Sequence, residues 1–176
     1  SIGAGEHTRF VQPSASALAV NRATGGEVSQ ILGRLSANGR VMLINPNGIL
    51  FGAQSRVDVA ALVATTIDIP NARLLSDDFR FDLPGRPDAA VINRGSITVA
   101  DGGLAALVAP GVVNSGVIRA RLGRIALASG EAFTLDFYGD RLVEIALPAQ
   151  APAALRDETG TPLSAAAARL SGSPSS

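Results

Sequence analysis

The sequence contains no cysteine, no tryptophan and no lysine, and it has one histidine and one tyrosine. Without cysteine there can be no disulfide, no thiolate metal site and no cysteine nucleophile. No run approaches the roughly 20 uninterrupted apolar residues that a membrane-spanning helix needs. No charged-then-apolar signal sequence opens the chain, so if the protein is exported, its signal has been removed or lies upstream.

Charge and composition narrow the class of protein further. Fifteen basic and fifteen acidic residues cancel, and no basic run or aromatic-plus-arginine cluster is present, which argues against nucleic acid as a partner. The apolar fraction of 47% over 176 residues is sufficient for one extended core. Small and β-branched residues dominate that fraction, and 19 glycines accompany them, which favours close-packed sheet layers.

An internal repeat is the strongest structural signal. Residues 91–109 align without gaps on residues 112–130, an offset of 21 positions. The identical pairs are Val91/Val112, Asn93/Asn114, Gly95/Gly116, Ile97/Ile118, Gly102/Gly123 and Ala105/Ala126. Short apolar runs between glycine and asparagine at this period predict one coil of a parallel β-solenoid. In such a coil each strand pairs with its equivalent about 4.8 Å along the axis, so like residues stack.

Two columns of the repeat have a predicted structural role. Asn93 and Asn114 are expected to join their side-chain amides in a ladder at a coil corner. Gly95 and Gly116 are expected to supply the positive φ that a sharp corner requires. The alternative is that the repeat consists of two unrelated strand-turn-strand units of similar composition.

The segments before the repeat also consist of short apolar runs separated by turn residues, but their spacing is less regular. Strands are predicted at residues 17–20, 28–35, 40–45, 49–51 and 57–66, with Val57, Val59 and residues 62–64 on the inner wall of one coil. Residues 70–90 interrupt the period and are expected to form a loop or a small extra-helical hairpin. A second hairpin is predicted around Gly139-Asp140. Residues 148–176, rich in Ala, Pro and Ser, are expected to be a linker or disordered.

Few side chains are suited to catalysis. His7 is the sole histidine, and no Gly-x-Ser-x-Gly elbow marks a nucleophile. Asp77 and Asp78 are the one adjacent acid pair, and we interpret them as solvated loop residues in preference to a calcium or catalytic site. The sequence therefore predicts no enzyme, no cofactor and no metal, with a polysaccharide-active β-helix enzyme as a remote alternative.

Between residues 10 and 66 several short motifs occur in a fixed order. They are Phe10-Val11-Gln12-Pro13, Asn21-Arg22, Gly25-Gly26, Ile31 with Gly33 and Leu35, Ala37-Asn38-Gly39, LINPNGILFG at 43–52, and Leu62-Val63-Ala64-Thr65. In this order they resemble the N-terminal two-partner-secretion (TPS) domain of the filamentous haemagglutinins, exported proteins of Gram-negative bacteria. The resemblance covers residues 1–147, and it implies an all-β fold, a right-handed parallel β-helix.

The resemblance also implies a partner and a motif. Asn45, Pro46, Asn47 and Gly48 match the NPNG motif of these secretion domains, which are recognised by the TpsB-type POTRA domains of a dedicated outer-membrane transporter. Pro46 fixes φ at the first central position of a tight turn, and Asn45 can bond the backbone two residues on. We interpret the turn mainly as a coil corner; direct contact with the transporter is the alternative.

Two features of the family are missing from this chain. The strands and amphipathic cap that usually precede the segment resembling residues 1–5 are absent, and so is a second motif, NPNL. The expected function is a secretion signal that folds at the cell surface after passage through the periplasm. An adhesion module that binds a host receptor or glycan directly is the alternative. Deleting residues 70–90 would separate the two, because adhesion should fall while export persists.

Overall fold

The computed structural model describes residues 1–136 and the backbone of residues 143–146. Within these residues the fold is mainly β, with one short helix, α1 (Asn71–Leu75). Its strands are β1 (His7–Phe10), β2 (Leu18–Arg22), β3 (Ser29–Ile31), β4 (Arg34–Ala37), β5 (Arg40–Ile44), β6 (Ile49–Phe51), β7 (Arg56–Val59), β8 (Ala61–Thr65), β9 (Arg80–Phe81), β10 (Ala90–Asn93), β11 (Ser96–Val99), β12 (Leu104–Ala109), β13 (Gly111–Asn114), β14 (Val117–Ala120), β15 (Arg124–Ser129), β16 (Ala132–Leu135) and β17 (Val143–Ala146). None of the helical segments that the structure describes is long and apolar enough to cross a membrane.

Fourteen of these strands form three parallel sheets, through which the chain passes in turn. The first sheet has the order β1-β4-β7-β11-β14, the second β15-β12-β8-β5-β2, and the third β13-β10-β6-β3. Every neighbouring pair in these sheets is parallel. The protein is therefore a parallel β-helix, as the repeat predicted, and the structure shows that it has three sides.

The repeated segments lie on successive coils. Val91 pairs with Val112, and Ile97 pairs with Ile118. The two units are thus stacked copies of one coil, and the alternative of two unrelated units is wrong. Position-specific identity follows from this pairing, because each side chain packs against its equivalent on the next coil.

The ungapped alignment is wrong in one of the three sheets. In the second sheet Leu107 pairs with Leu127, and Ala105 pairs with Ile125, an offset of 20 positions. The corner before β15 is one residue shorter, so that Arg124 N donates to Gly103 O at 2.9 Å. The predicted pairs Ala105/Ala126 and Gly102/Gly123 therefore do not face each other. The shift stacks leucine on leucine in the row that faces the lumen.

Two predicted strands are each divided in two. Residues 28–35 form β3 and β4, separated at Leu32-Gly33, and residues 57–66 contain β7 and β8, separated at Ala60. Both breaks are coil corners stacked on neighbouring corners: Ala60 N, for example, donates to Gly39 O at 3.0 Å. Because these corners are only one or two residues long, the sequence gives no turn signal. The structure also adds β1, which was not predicted.

The lumen contains the first core, a column of aliphatic side chains with one phenylalanine. Its buried residues are Ile2, Ile31, Leu35, Val41, Ile49, Phe51, Val57, Val59, Leu62, Ala64, Val91, Ile97, Val99, Ala105, Leu107 and Ala109. Four of the five predicted inner-wall residues belong to it. Val63 does not, because side chains alternate along β8 and Val63 faces out of the lumen.

A second core lies on the outer face of the second sheet. Most of residues 70–90 form an insert outside the coils, as predicted, although Arg86 N bonds Pro46 O on a coil corner and Ala90 begins β10. The insert's strand β9 pairs antiparallel with β16, which pairs antiparallel with β17. Phe81 and Phe133 stack with ring centroids 4.3 Å apart. The buried members are Met42, Ile44, Ala61, Val63, Ile67, Ile69, Phe79, Phe81, Leu104, Ala106, Val108, Phe133 and Leu135. The second sheet is thus buried on both faces, which its continuous apolar strands require.

Two predictions fall wholly or partly outside the described residues. The turn of the hairpin around Gly139-Asp140 is one, although β16 and β17 on either side of it do pair antiparallel. The tail at residues 148–176 is the other. The division into a secretion domain and a linker or disordered tail therefore stays a prediction.

We expect Phe81→Ala to lower the free energy of unfolding by about 3–5 kcal/mol, because it leaves a cavity in the second core. Leu75→Ala is the matched control, since Leu75 is 89% exposed, and its expected effect is within about 0.5 kcal/mol. Urea denaturation followed by circular dichroism measures both values. Similar losses in the two variants would show that the second core contributes little to stability.

Gly116→Ala tests how tightly the corners stack. A Cβ at this position would overlap the carbonyl oxygen of Gly95 on the neighbouring coil, and we expect a loss of about 1–3 kcal/mol in the free energy of unfolding. Gly25→Ala is the control, because a Cβ there meets no atom within 4 Å. The explanation fails if thermal and urea denaturation give the same stability for both variants.

Candidate functional site

The predicted secretion motif forms the corner between β5 and β6. Gly48 N donates to Asn45 O at 3.0 Å, and Asn47 N donates to Asn45 Oδ1 at 2.9 Å. Gly48 has a φ of 122°, in the region that favours glycine. The motif is therefore a tight turn in which the first asparagine bonds the backbone two residues on.

Side-chain amides join this turn to the preceding coil. Asn45 is buried, and its Nδ2 donates to Glu27 O at 2.9 Å and to Ser29 Oγ at 2.8 Å. Asn47 Nδ2 donates to Gly25 O at 2.8 Å. The side-chain amides of both asparagines thus donate hydrogen bonds to backbone or hydroxyl oxygens of the preceding coil.

The following coil covers the opposite side of the turn. Arg86 N donates to Pro46 O at 3.0 Å. A Cβ on Gly85 would lie 2.8 Å from Pro46 Cα, and a Cβ on Gly48 would lie 3.2 Å from Ala90 O. In the folded chain the motif is therefore held between two coils, and none of its four residues is fully exposed.

The asparagine column lies at the next corner, between the third and first sheets. Asn93 is fully buried; its Nδ2 donates to Asn114 Oδ1 at 2.8 Å, and its Oδ1 accepts from Gly95 N at 3.1 Å. On the two preceding coils Phe51 and Ile31 occupy the same column. Within the described residues the amide pairing in this column therefore joins two coils.

Gly95 and Gly116 lie in adjacent coils, but the reason given for them was wrong. Neither has a positive φ; among the described glycines only Gly5, Gly48 and Gly102 do. A Cβ on Gly95 would overlap Ser55 Oγ, and a Cβ on Gly116 would overlap Gly95 O. These positions require glycine because the backbones approach closely, not because of their dihedral angles.

Sequence reasoning missed the function of Arg22, which clamps the extra-helical insert to the first coils. Its Nε donates to Asp68 Oδ1 at 2.8 Å, its Nη2 to Ile69 O at 2.6 Å and its Nη1 to Asn71 Oδ1 at 2.5 Å. Arg22 was part of the motif series, but its partners are more than forty positions away. No local pattern in the sequence could have indicated them.

The side chains considered for catalysis do not converge. His7 is exposed, and its Nε2 lies 2.7 Å from Ser36 Oγ on β4. Asp78 lies 3.7 Å from Arg73, whose hydrogen bond to Asp82 raises the pKa of the guanidinium. Over the described part of the chain, no three His, Asp or Glu residues are grouped so as to hold a metal ion.

Three comparisons place the chain among known proteins. It is 36% identical over 154 residues to a heme/hemopexin-binding protein of Haemophilus influenzae, an alignment that covers 83% of this chain and 17% of the relative. A second protein of that name from Haemophilus influenzae is 42% identical over 80 residues, 46% of this chain and 9% of the relative. The chain therefore spans less than a fifth of the length of these relatives.

A solved structure has the same fold. The crystal structure of the HMW1 secretion domain from Haemophilus influenzae superposes with a TM-score of 0.72 at 32% identity, over 84% of this chain and 39% of that one. The model of the family described as the TPS secretion domain matches residues 1–168. The chain therefore belongs to the TPS secretion domains, the secretion domains of exported two-partner-secretion proteins.

Proposed function

We propose that this domain is read, in the periplasm, by the POTRA domains of a TpsB-type outer-membrane transporter, and that its coils fold at the cell surface after translocation. Membership of the TPS family is the observation that carries this proposal. Transport of the exoprotein to the surface or the medium is the family's function, and the periplasmic step and the POTRA contact are the parts proposed here.

The buried NPNG turn supports recognition before folding. Asn45 is 1% exposed, and the coils on both sides cover its neighbours. A transporter that read this motif in the folded domain would have to separate those coils. The unfolded chain instead offers extended amphipathic segments, such as β7 with its alternating exposed and buried residues. Such segments suit capture by β-augmentation, in which a peptide adds a strand to a sheet edge.

Folding by successive coils supports the export step. Each new strand pairs in parallel with the strand one coil earlier, so a folded coil is the template for the next. Burial of the lumen side chains makes each addition favourable. A coil that has folded outside the cell resists return through the transporter, and folding thus favours outward movement without nucleotide hydrolysis.

We propose no catalytic role for the domain. Its relatives are named for haem and hemopexin binding, but the match covers 17% and 9% of their lengths. We propose that any such binding belongs to the remainder of an exoprotein, and that this domain serves its export.

Direct adhesion through residues 70–90 has weaker support. Phe79 and Phe81 of this insert are buried in the second core. Deleting the whole insert would therefore expose that core, and a loss of adhesion would not distinguish a binding loop from a misfolded domain. Leu75, which is 89% exposed on α1, is a better position for testing adhesion.

Asn47→Val tests the turn as a structural corner. The substitution removes the Nδ2 donor to Gly25 O and Asn45 Oδ1, and we expect the free energy of unfolding to fall by about 1–3 kcal/mol. Export into the medium by cells that carry the transporter should fall with it. Urea denaturation of the purified chain and immunoblotting of the medium measure the two effects.

Gln54→Val is the matched control, because Gln54 is an exposed corner residue, and neither stability nor export should change. If Asn47→Val abolishes export with unchanged stability, the transporter contacts the asparagine directly. If it changes neither, the turn has no special role in secretion.

A further inference from the structure

An open groove of about 1160 Å³ runs along the corner between the third and first sheets. Its floor is a column of backbone-stacked residues: Glu6, Gly33, Ser55, Gly95 and Gly116. The carbonyls of the first four residues in this column each accept from the first strand residue of the next coil; Arg56 N, for example, donates to Gly33 O at 3.1 Å. Three of the five positions are glycine, because a Cβ would overlap the coil beneath. The corner therefore forms a trough along the axis of the solenoid.

Arginines from both walls line this trough. Arg34 and Arg56 pair in register on adjacent coils of the first sheet, so their side chains leave the same face about 4.8 Å apart. Arg94, on the next coil, comes from the opposite wall, and Arg119 lies at the far end. Two carboxylates, Glu6 and Asp58, also line the groove, which leaves an excess of two positive charges (four minus two).

Positive charge is unevenly distributed over the three sheets. The five strands of the first sheet carry four arginines and one acid, and the five strands of the second carry three arginines and no acid, whereas the four strands of the third carry no charged residue. The whole chain has a formal net charge of zero. In the second sheet Arg22 is paired with Asp68 at 2.8 Å, whereas the fold brings Arg34, Arg56 and Arg119 of the first sheet to one groove from positions that are far apart in the sequence.

Two of these arginines make no side-chain hydrogen bond or ion pair with the described part of the chain. They are Arg34 and Arg56, and both are exposed. Exposed arginines of the insert are paired, as Arg80 is with Asp82 at 3.7 Å and Arg86 is with Asp88 at 3.1 Å. Two like charges one coil apart repel each other, and an oxyanion placed between them would relieve that repulsion.

We propose that this groove binds a linear sulfated polysaccharide. A guanidinium presents a planar fork of donors that matches an oxyanion, and a sulfate ester has three free oxygens with which to bridge two neighbouring guanidinium groups. The groove is long and runs along the axis, which suits an extended polymer. No Phe, Tyr or Trp lines it, so it lacks both the aromatic anchors typical of protein interfaces and the stacking surfaces of single-stranded nucleic acid sites.

The binding site is independent of the proposed export function. It requires the folded first sheet, whereas export requires the chain to pass the transporter. An arginine variant that is exported normally but no longer binds the polymer would separate the two. A variant that binds normally but is not exported would separate them in the other direction.

The test uses the full 176-residue chain and dextran sulfate, with neutral dextran as the uncharged polymer. We expect the wild-type chain to bind dextran sulfate and not dextran in isothermal titration calorimetry, with affinity that falls as salt rises. The double variant Arg34→Gln/Arg56→Gln should bind roughly 25-fold more weakly, at about fivefold for each arginine. Circular dichroism should show an unchanged fold, because both side chains are exposed.

A control of equal charge change is Arg80→Gln/Arg86→Gln, which removes two exposed arginines that do not line the groove. It should bind like the wild type. A second groove variant, Ser96→Asp, places a carboxylate in register beside Arg56 without removing any arginine, and it should also weaken binding.

Three results would overturn the proposal. They are no binding of dextran sulfate by the wild type, equal losses in the groove variant and its charge-matched control, and binding of polyglucuronate or duplex DNA as tightly as dextran sulfate. The third would indicate a general response to polyanions and not a sulfate-bridging groove.

Discussion

Parallel pairing of each strand with its equivalent one coil later is the constraint on which the structure depends. It sets the separation of successive coils at about 4.8 Å, and at that distance the residues of a column share one environment. Leu107 stacks on Leu127 in the lumen, and Asn93 bonds Asn114 at a corner. Corners must stack as closely as strands, which is why a Cβ on Gly116 has no space. One geometric rule thus governs the core, the amide pair and the glycine column.

The second sheet shows how the solenoid accommodates an insert. Its strands are buried on both faces, by the lumen on one side and by the extra-helical sheet on the other. The insert between β8 and β10 can leave the coil and return without breaking it, because β8 still pairs with β12. Arg22 joins the insert to the first coils through Asp68 and Asn71. The insert is therefore part of the folded unit, a second layer of core, and not a free loop.

The parts of the domain differ from one another mainly at the corners between strands. At the NPNG corner, two asparagines satisfy the backbone of the preceding coil, and the following coil covers the turn. At the glycine corner, the absence of side chains opens a trough along the axis. Close stacking of the coils thus has different results at the two corners. The NPNG corner is closed because polar side chains fill the space, and the glycine corner is an open groove because its glycines have no side chains. The proposed secretion motif forms the first corner, and the proposed polysaccharide site lies along the second.

The sequence by itself determined the coil, the position of the insert and the columns of the repeat, because like residues recur wherever coils stack at a fixed period. It also indicated the NPNG turn, whose hydrogen bonds are local, such as that from Asn47 N to Asn45 Oδ1. Only the tertiary structure decided the register of β15, the outward direction of Val63 and the close-packing reason for Gly95. It alone brought Arg34, Arg56 and Arg94 to one groove in a chain without a basic run. The physical reason is that neighbours across coils are 20 or more residues apart, so no local pattern records which side chains meet.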